Sequence, residues 1–151
     1  MRALTLASLA LLVATPAFAQ QWTAEEQEII DFTNECWEMW QQEEVDGYLS
    51  DCWHEDITFW WAPDSMPFGA RWVSRASRFW FGHNDMAVWA VQPHAVNIFG
   101  DAAVFHYQLL GLDDTAEGLE QYGHGRTDFL VRENGAWKVV GVHSHPSARG
   151  N

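Results

Sequence analysis

The chain has 151 residues, with 21 acidic against 8 basic and a formal net charge of −13 at neutral pH. Charge of that sign repels nucleic acid and anionic lipid, so neither is expected as a partner. Nearly half the residues are hydrophobic and ten are tryptophan, which suits one large core or a concave pocket with flat apolar walls.

Residues 1–19 carry one charge, Arg2, then an apolar run from Ala3 to Val13 and the small-residue pattern Ala17-Phe18-Ala19. That pattern is an export signal, too short to span a bilayer, and no second apolar stretch of spanning length follows. The expectation is a cleaved signal peptide over 1–19 and a single domain over 20–151, periplasmic or secreted and without membrane insertion. The leader takes one arginine with it, so 7 basic and 21 acidic residues leave the domain at −14. Cys36 and Cys52 then sit in an oxidising compartment. If a helical hairpin turns near Glu44, each lies eight residues from the turn and they can face one another. A disulfide closing that loop stabilises by roughly 3 kcal/mol; two buried thiols are the alternative.

Thr23-Ala-Glu-Glu26 is a capping box. Ile29, Ile30, Thr33, Cys36, Trp37 and Trp40 follow at helical spacing, with Glu25, Glu28, Asp31, Glu35 and Glu38 largely on the other side. A shorter helix is predicted over Val45 to Trp53, with Tyr48, Leu49 and Cys52 inward. DITFWW, 56–61, is aromatic and bounded by Ala62-Pro63-Asp64, so it reads as a strand. Arg71 to Phe81 is helical again, with Trp72, Val73, Ala76, Phe79 and Trp80 as its apolar stripe. Arg71, Arg75 and Arg78 share one face of it, either paired with the acidic first helix, solvated, or forming a rim that attracts anions.

The last third is predicted as strands. VWAVQPHAVNIF, 88–99, turns at Gly100-Asp101 into AAVFHYQLL, 102–110, with Pro93 marking an edge or bulge. A polar loop from Gly111 to Glu120 leads to QYGHGRTDFLVR, 121–132. Asn134-Gly135 is a type I′ hairpin signal into AWKVVGVHSH. The order α-α-β-α-β-β-β-β implies an α+β fold, helices on one face of a strongly curved antiparallel sheet.

That order resembles the nuclear transport factor 2-like superfamily, especially SnoaL-like members and the association domain of calcium/calmodulin-dependent kinase II. The matching text is QEIIDFTNE in the first helix, QPHAVNIFGDAAV at the strand turn and RTDFLVRENGAWKVVGVHSHPS at the end, covering about Glu25 to Ser147. The resemblance implies a cone whose concave sheet face and covering helices enclose a pocket, while the other face makes a homodimer. It implies no single activity, because this scaffold carries isomerases, cyclases, dehydratases, hydrolases and oligomerisation hubs. The arginines on the association domain's inner face fall at Gln108, Asp128 and Pro146, so its anion site is not inherited. The ketosteroid isomerase pattern of an early tyrosine with two aspartates is also missing.

The resemblance turns Val104, His106 and Gln108 inward on one strand, and His124, Arg126, Asp128 and Leu130 on the next. His106, Arg126 and Asp128 converging between aromatic walls are the candidate catalytic set: imidazole to move a proton, guanidinium to steady an oxyanion. The alternative is an Arg126–Asp128 pair satisfying itself beside a hydrogen-bonded His106. Trp37, Trp40, Phe59, Trp72, Gln108 and His143 are the candidate ligand contacts, with Trp60 and Trp89 as further aromatics. His143 and His145, at i and i+2, suit two metal ligands, but a zinc site needs a third, His124 or Asp128. The reading taken is that they end the last strand structurally, with no metal and no cofactor. The functional expectation is an exported cone binding a small, mostly apolar molecule, with acid–base catalysis open. The alternative is an oligomerisation or adaptor module without activity.

Overall fold

Thr23 starts the first helix by accepting from the Glu26 amide at 3.2 Å, while the Glu26 carboxylate accepts from the Thr23 amide at 2.7 Å. This reciprocal cap satisfies two donors that a helix start leaves free. The computed structural model describes residues 21–62, 66–81, 86–115 and 118–146, with the backbone alone for 86–89, 113–115, 119, 120 and 122. The expected leader, 1–19, and the side chain of Trp89 lie outside the described residues. α1 runs Ala24–Gln41 and buries Ile29, Ile30, Thr33, Cys36 and Trp37, the inward stripe that its spacing predicts.

The expected second helix is instead a single turn, α2 (Val45–Gly47), followed by a π-helical turn over Tyr48–Cys52. The wider turn carries both Tyr48 and Cys52 into the core. The Lys138 ammonium donates to the backbone oxygens of Ser50 and Asp51, which the turn leaves open. Cys36 and Cys52 are joined in a disulfide, their Cα atoms 5.8 Å apart, so α1 is stapled to this turn.

The strands are β1 (Trp53–Trp61), β2 (Phe68–Gly69), β3 (Met86–Phe99), β4 (Ala102–Thr115), β5 (Gly118–Glu133) and β6 (Ala136–Pro146), with α3 (Ala70–Phe81) between β2 and β3. They form one curved, open sheet in the order β2-β1-β6-β5-β4-β3. The sheet is mixed rather than antiparallel throughout, because β1 pairs parallel with β6. The chain reaches β6 by way of α3 and four further strands, and such a long crossover permits parallel pairing. The loop expected over Gly111 to Glu120 is largely ladder: β4 and β5 stay in register from Leu112↔Gln121 to Thr115↔Gly118. Backbone pairing there overrides the polar composition that argues for a loop.

Asn134 and Gly135 both have positive φ, 52° and 83°, as a type I′ turn requires. The β3–β4 register slips between Pro93 and Ala95, where proline removes a ladder donor. α1 lies across the concave side of the sheet. Ile29, Phe105, Tyr107, Leu130 and Val142 meet beneath it in the core.

Candidate functional site

Alternation along β4 and β5 decides which side chains enter the cone. The buried row of β4 is Ala103, Phe105, Tyr107 and Leu109, and across from it on β5 lie Leu130, Asp128, Arg126 and His124. Arg126 Nε donates to Asp128 Oδ1 at 2.7 Å, and the Tyr107 hydroxyl donates to Asp128 Oδ2 at 2.9 Å. Trp37 Nε1 donates in turn to the Tyr107 oxygen at 3.3 Å. Both carboxylate oxygens are thus engaged, which compensates a charge that is only 2% exposed.

The guanidinium is ringed by aromatics. Its central carbon lies 5.0 Å from the Trp37 ring, 5.6 Å from Trp53, 5.7 Å from Phe59 and 6.0 Å from Tyr107. Burial works to lower the Arg126 pKa, but its surroundings, the Asp128 carboxylate first among them, together outweigh it and hold the group charged. Burial likewise pushes the Tyr107 phenol well above its ordinary range, with Arg126 opposing. Neither group gives up a proton near neutral pH.

His124 is the imidazole of this interior. It is 3% exposed, 4.5 Å from the Trp61 ring and 3.3 Å from the Ser144 hydroxyl through Nδ1. Burial lowers its pKa to about 4, aided by the charge of Arg126 and by His145, so it is neutral at pH 7.

Between α1, the π-turn and β5 lies a hollow of about 10 Å³, lined by Thr33, Trp37, Tyr48, Trp53, Arg126 and Asp128. That is room for one water. The indole rings that were expected to wall a pocket here fill it. Trp53 also lines the hollow, and its buried Nε1 lies beside the Tyr48 phenol without a well-formed hydrogen bond.

Several expected site residues stand elsewhere. His106 is exposed on the opposite face of the sheet, with Nδ1 2.9 Å from Thr127 Oγ1. It does not join Arg126 and Asp128, since the inward register of β4 is set by Tyr107 and Phe105. Gln108 shares the outward face, paired with Gly125. His143 pairs with Thr127 and is also outward, its ring 6.0 Å from Trp60 and 5.8 Å from His145. Trp72 is 45% exposed on α3, stacked on Phe68 at 4.1 Å. Trp40 packs between Trp37, Tyr48 and Phe81, one layer behind the hollow. Trp37, Phe59, Arg126 and Asp128 do converge. Tyr107, Tyr48 and Trp53 were missed, though Tyr107 had a signal: it alternates with Phe105 and Leu109 in a run that pairs with the charged strand. Among the described residues no three His, Cys, Asp or Glu side chains are grouped to hold a metal ion.

The outward face has its own order. Trp60, His143, Thr127, His106 and Ala95 form one row across five strands. The Phe129 ring covers Gly141, where an added Cβ would come within 3.2 Å of it, and the His145 ring lies over Gly125 and leaves no room for a Cβ. Rings laid flat on glycines make this face smooth. Phe129, Trp60 and Phe99 are 45%, 46% and 69% exposed on it.

No family model matches the chain, and no curated protein matches it. Solved structures do. An NTF2-like protein from Cytophaga hutchinsonii has a TM-score of 0.70 at 15% identity, covering 83% of this chain and 100% of that one. A putative dehydratase of the NTF2-like family from Streptomyces avermitilis has a TM-score of 0.70 at 14% identity, covering 81% and 95%. The association domain of C. elegans CaMKII has a TM-score of 0.66 at 22% identity, covering 83% and 96%. At such identities the likeness speaks for architecture alone, and it agrees with the helices and curved sheet described above: the chain has the nuclear transport factor 2-like fold.

Proposed function

We propose that the chain is a self-associating scaffold, and that the outward face of its sheet docks on a second copy. One observation carries the reading. In the middle of the outward face, the row Trp60, His143, Thr127, His106 and Ala95 and the neighbouring Phe129, Val104 and Phe99 carry no carboxylate, the outward acids Asp56 and Glu133 standing toward the ends of β1 and β5. A protein of net charge −13 that keeps the middle of one sheet face free of acid has a surface on which two copies can approach. Four strands at ~4.8 Å spacing and ~3.4 Å per residue give roughly 600 Å² of face, near the ~800 Å² per partner of a stable interface. Several solved relatives of the fold are association or hub domains, which supports the same reading. Light scattering of the purified chain tests it. A mass of at least two chains is expected, falling to one chain in Val104→Glu; a single-chain mass at every concentration would sink the proposal.

A second reading is favoured by Trp53 at the hollow beside Arg126: its buried indole Nε1 makes no well-formed hydrogen bond. In it, a small, mostly apolar molecule brings one oxygen acceptor to that donor, and the rings part to admit it. A thermal-shift screen with aromatic carbonyl compounds checks this: stabilisation should appear in the parent and vanish in Trp53→Phe. No response from any compound in the parent would remove the reading.

A further inference from the structure

The geometry points to the outer side of α3 as a landing surface for an anionic phospholipid bilayer. Val73, Ser77 and Phe81 turn into the core, which fixes the opposite side of the helix toward solvent. Arg71, Arg75 and Arg78 lie on that side, and Trp72, Phe79 and Trp80 beside them are 45%, 55% and 51% exposed. Met66, just ahead of the helix, is 69% exposed. From Met66 to Phe81 the sequence has three arginines and no acidic residue.

Arg78 is held by Asp46 at 2.8 Å, whereas Arg71 and Arg75 have no ion pair among the described residues. Positive charge interleaved with exposed tryptophan and phenylalanine suits an interface where phosphate lies beside hydrocarbon. An acidic protein surface such as the outer side of α1 would match the arginines and leave the aromatics in water. A bilayer of anionic lipid matches both. The net charge of −13 does not oppose this at close range, because charges farther than about 8 Å are screened at physiological salt. Contact here is peripheral, since no described helix is long and apolar enough to cross a membrane. α3 packs on the helix-covered side of the sheet, so this surface is separate from the outward face proposed for self-association.

Flotation of the full chain with vesicles tests the inference. The chain is expected to float with phosphatidylglycerol-containing vesicles and to stay behind with pure phosphatidylcholine. Arg71→Gln with Arg75→Gln should lower partition about 30-fold, from the attraction of two charges near an anionic surface. Trp72→Ala with Phe79→Ala should lower it about tenfold or more. Both variants change exposed side chains, and unchanged circular dichroism would verify that they fold. Equal flotation on neutral vesicles, no flotation, or flotation unchanged in both variants would overturn the inference. So would a change of mass in these variants in light scattering without lipid, which would make α3 an interface between copies.

Discussion

Tyr107 and His106 are neighbours on β4, yet their side chains serve opposite sides of the sheet. The Tyr107 hydroxyl donates to Asp128 inside the cone at 2.9 Å, and the His106 imidazole meets Thr127 outside it at the same separation. The polar interior is therefore a hydrogen-bonded brace built on Arg126, and the histidine row belongs to the outer surface.

The brace makes Asp128 costly to remove. Asp128→Ala leaves the Arg126 guanidinium buried without its carboxylate, and such uncompensated charges cost about 3–5 kcal/mol. Tyr107→Phe removes one charge-assisted bond and should cost about 1.5–3 kcal/mol. Urea unfolding followed by circular dichroism measures both. Equal, small losses in the two variants would contradict the brace.

The disulfide is expected to add to stability by constraining the unfolded chain. Cys36 and Cys52 are 16 residues apart in sequence, and closing a loop of that length contributes about 3 kcal/mol. Replacing both by serine should lower the unfolding free energy by that amount, and a reducing agent should lower it similarly in the parent alone.

Acid should destabilise the fold through His124. Its pKa is about 4 when folded against 6.5 for an ordinary imidazole, so between those values the unfolded chain binds the proton more readily. The contribution is fully present above pH 6.5 and is lost as pH falls toward 4, by up to about 3 kcal/mol. Unfolding free energies over this range should flatten in His124→Phe relative to the parent. An identical pH slope in both proteins would rule out His124 as the cause.

Much of this fold was legible because its signals are local. Thr23 and Glu26 announce the first helix and Asn134-Gly135 the closing hairpin, whereas of the stripe expected to be buried on α3 only Val73 is, beside Ser77 and Phe81. The side facing inward on β4 was not legible, because Val104, Leu110 and Leu112 make the outward set apolar as well. With apolar residues on both faces, alternation alone cannot choose, and a one-residue error turns every side chain over. The parallel pairing of β1 with β6 joins segments some eighty residues apart, which no local pattern encodes. The filling of the hollow by Trp37, Tyr48 and Trp53 depends on how three separate elements pack, and composition offered only a supply of indoles. The arginine spacing on α3 was visible from the start, but its aromatic neighbours were read as a buried stripe.

Self-association through the outward sheet face is tested most directly by the reactivity of a thiol placed there. In Thr127→Cys the native cysteines remain bonded to each other, so a maleimide reports on position 127 alone. Labelling should slow as protein concentration rises through the range where mass increases, while Gln27→Cys on the exposed side of α1 labels at one rate throughout. A rate at position 127 that ignores concentration while the mass rises would place the interface elsewhere and contradict the account.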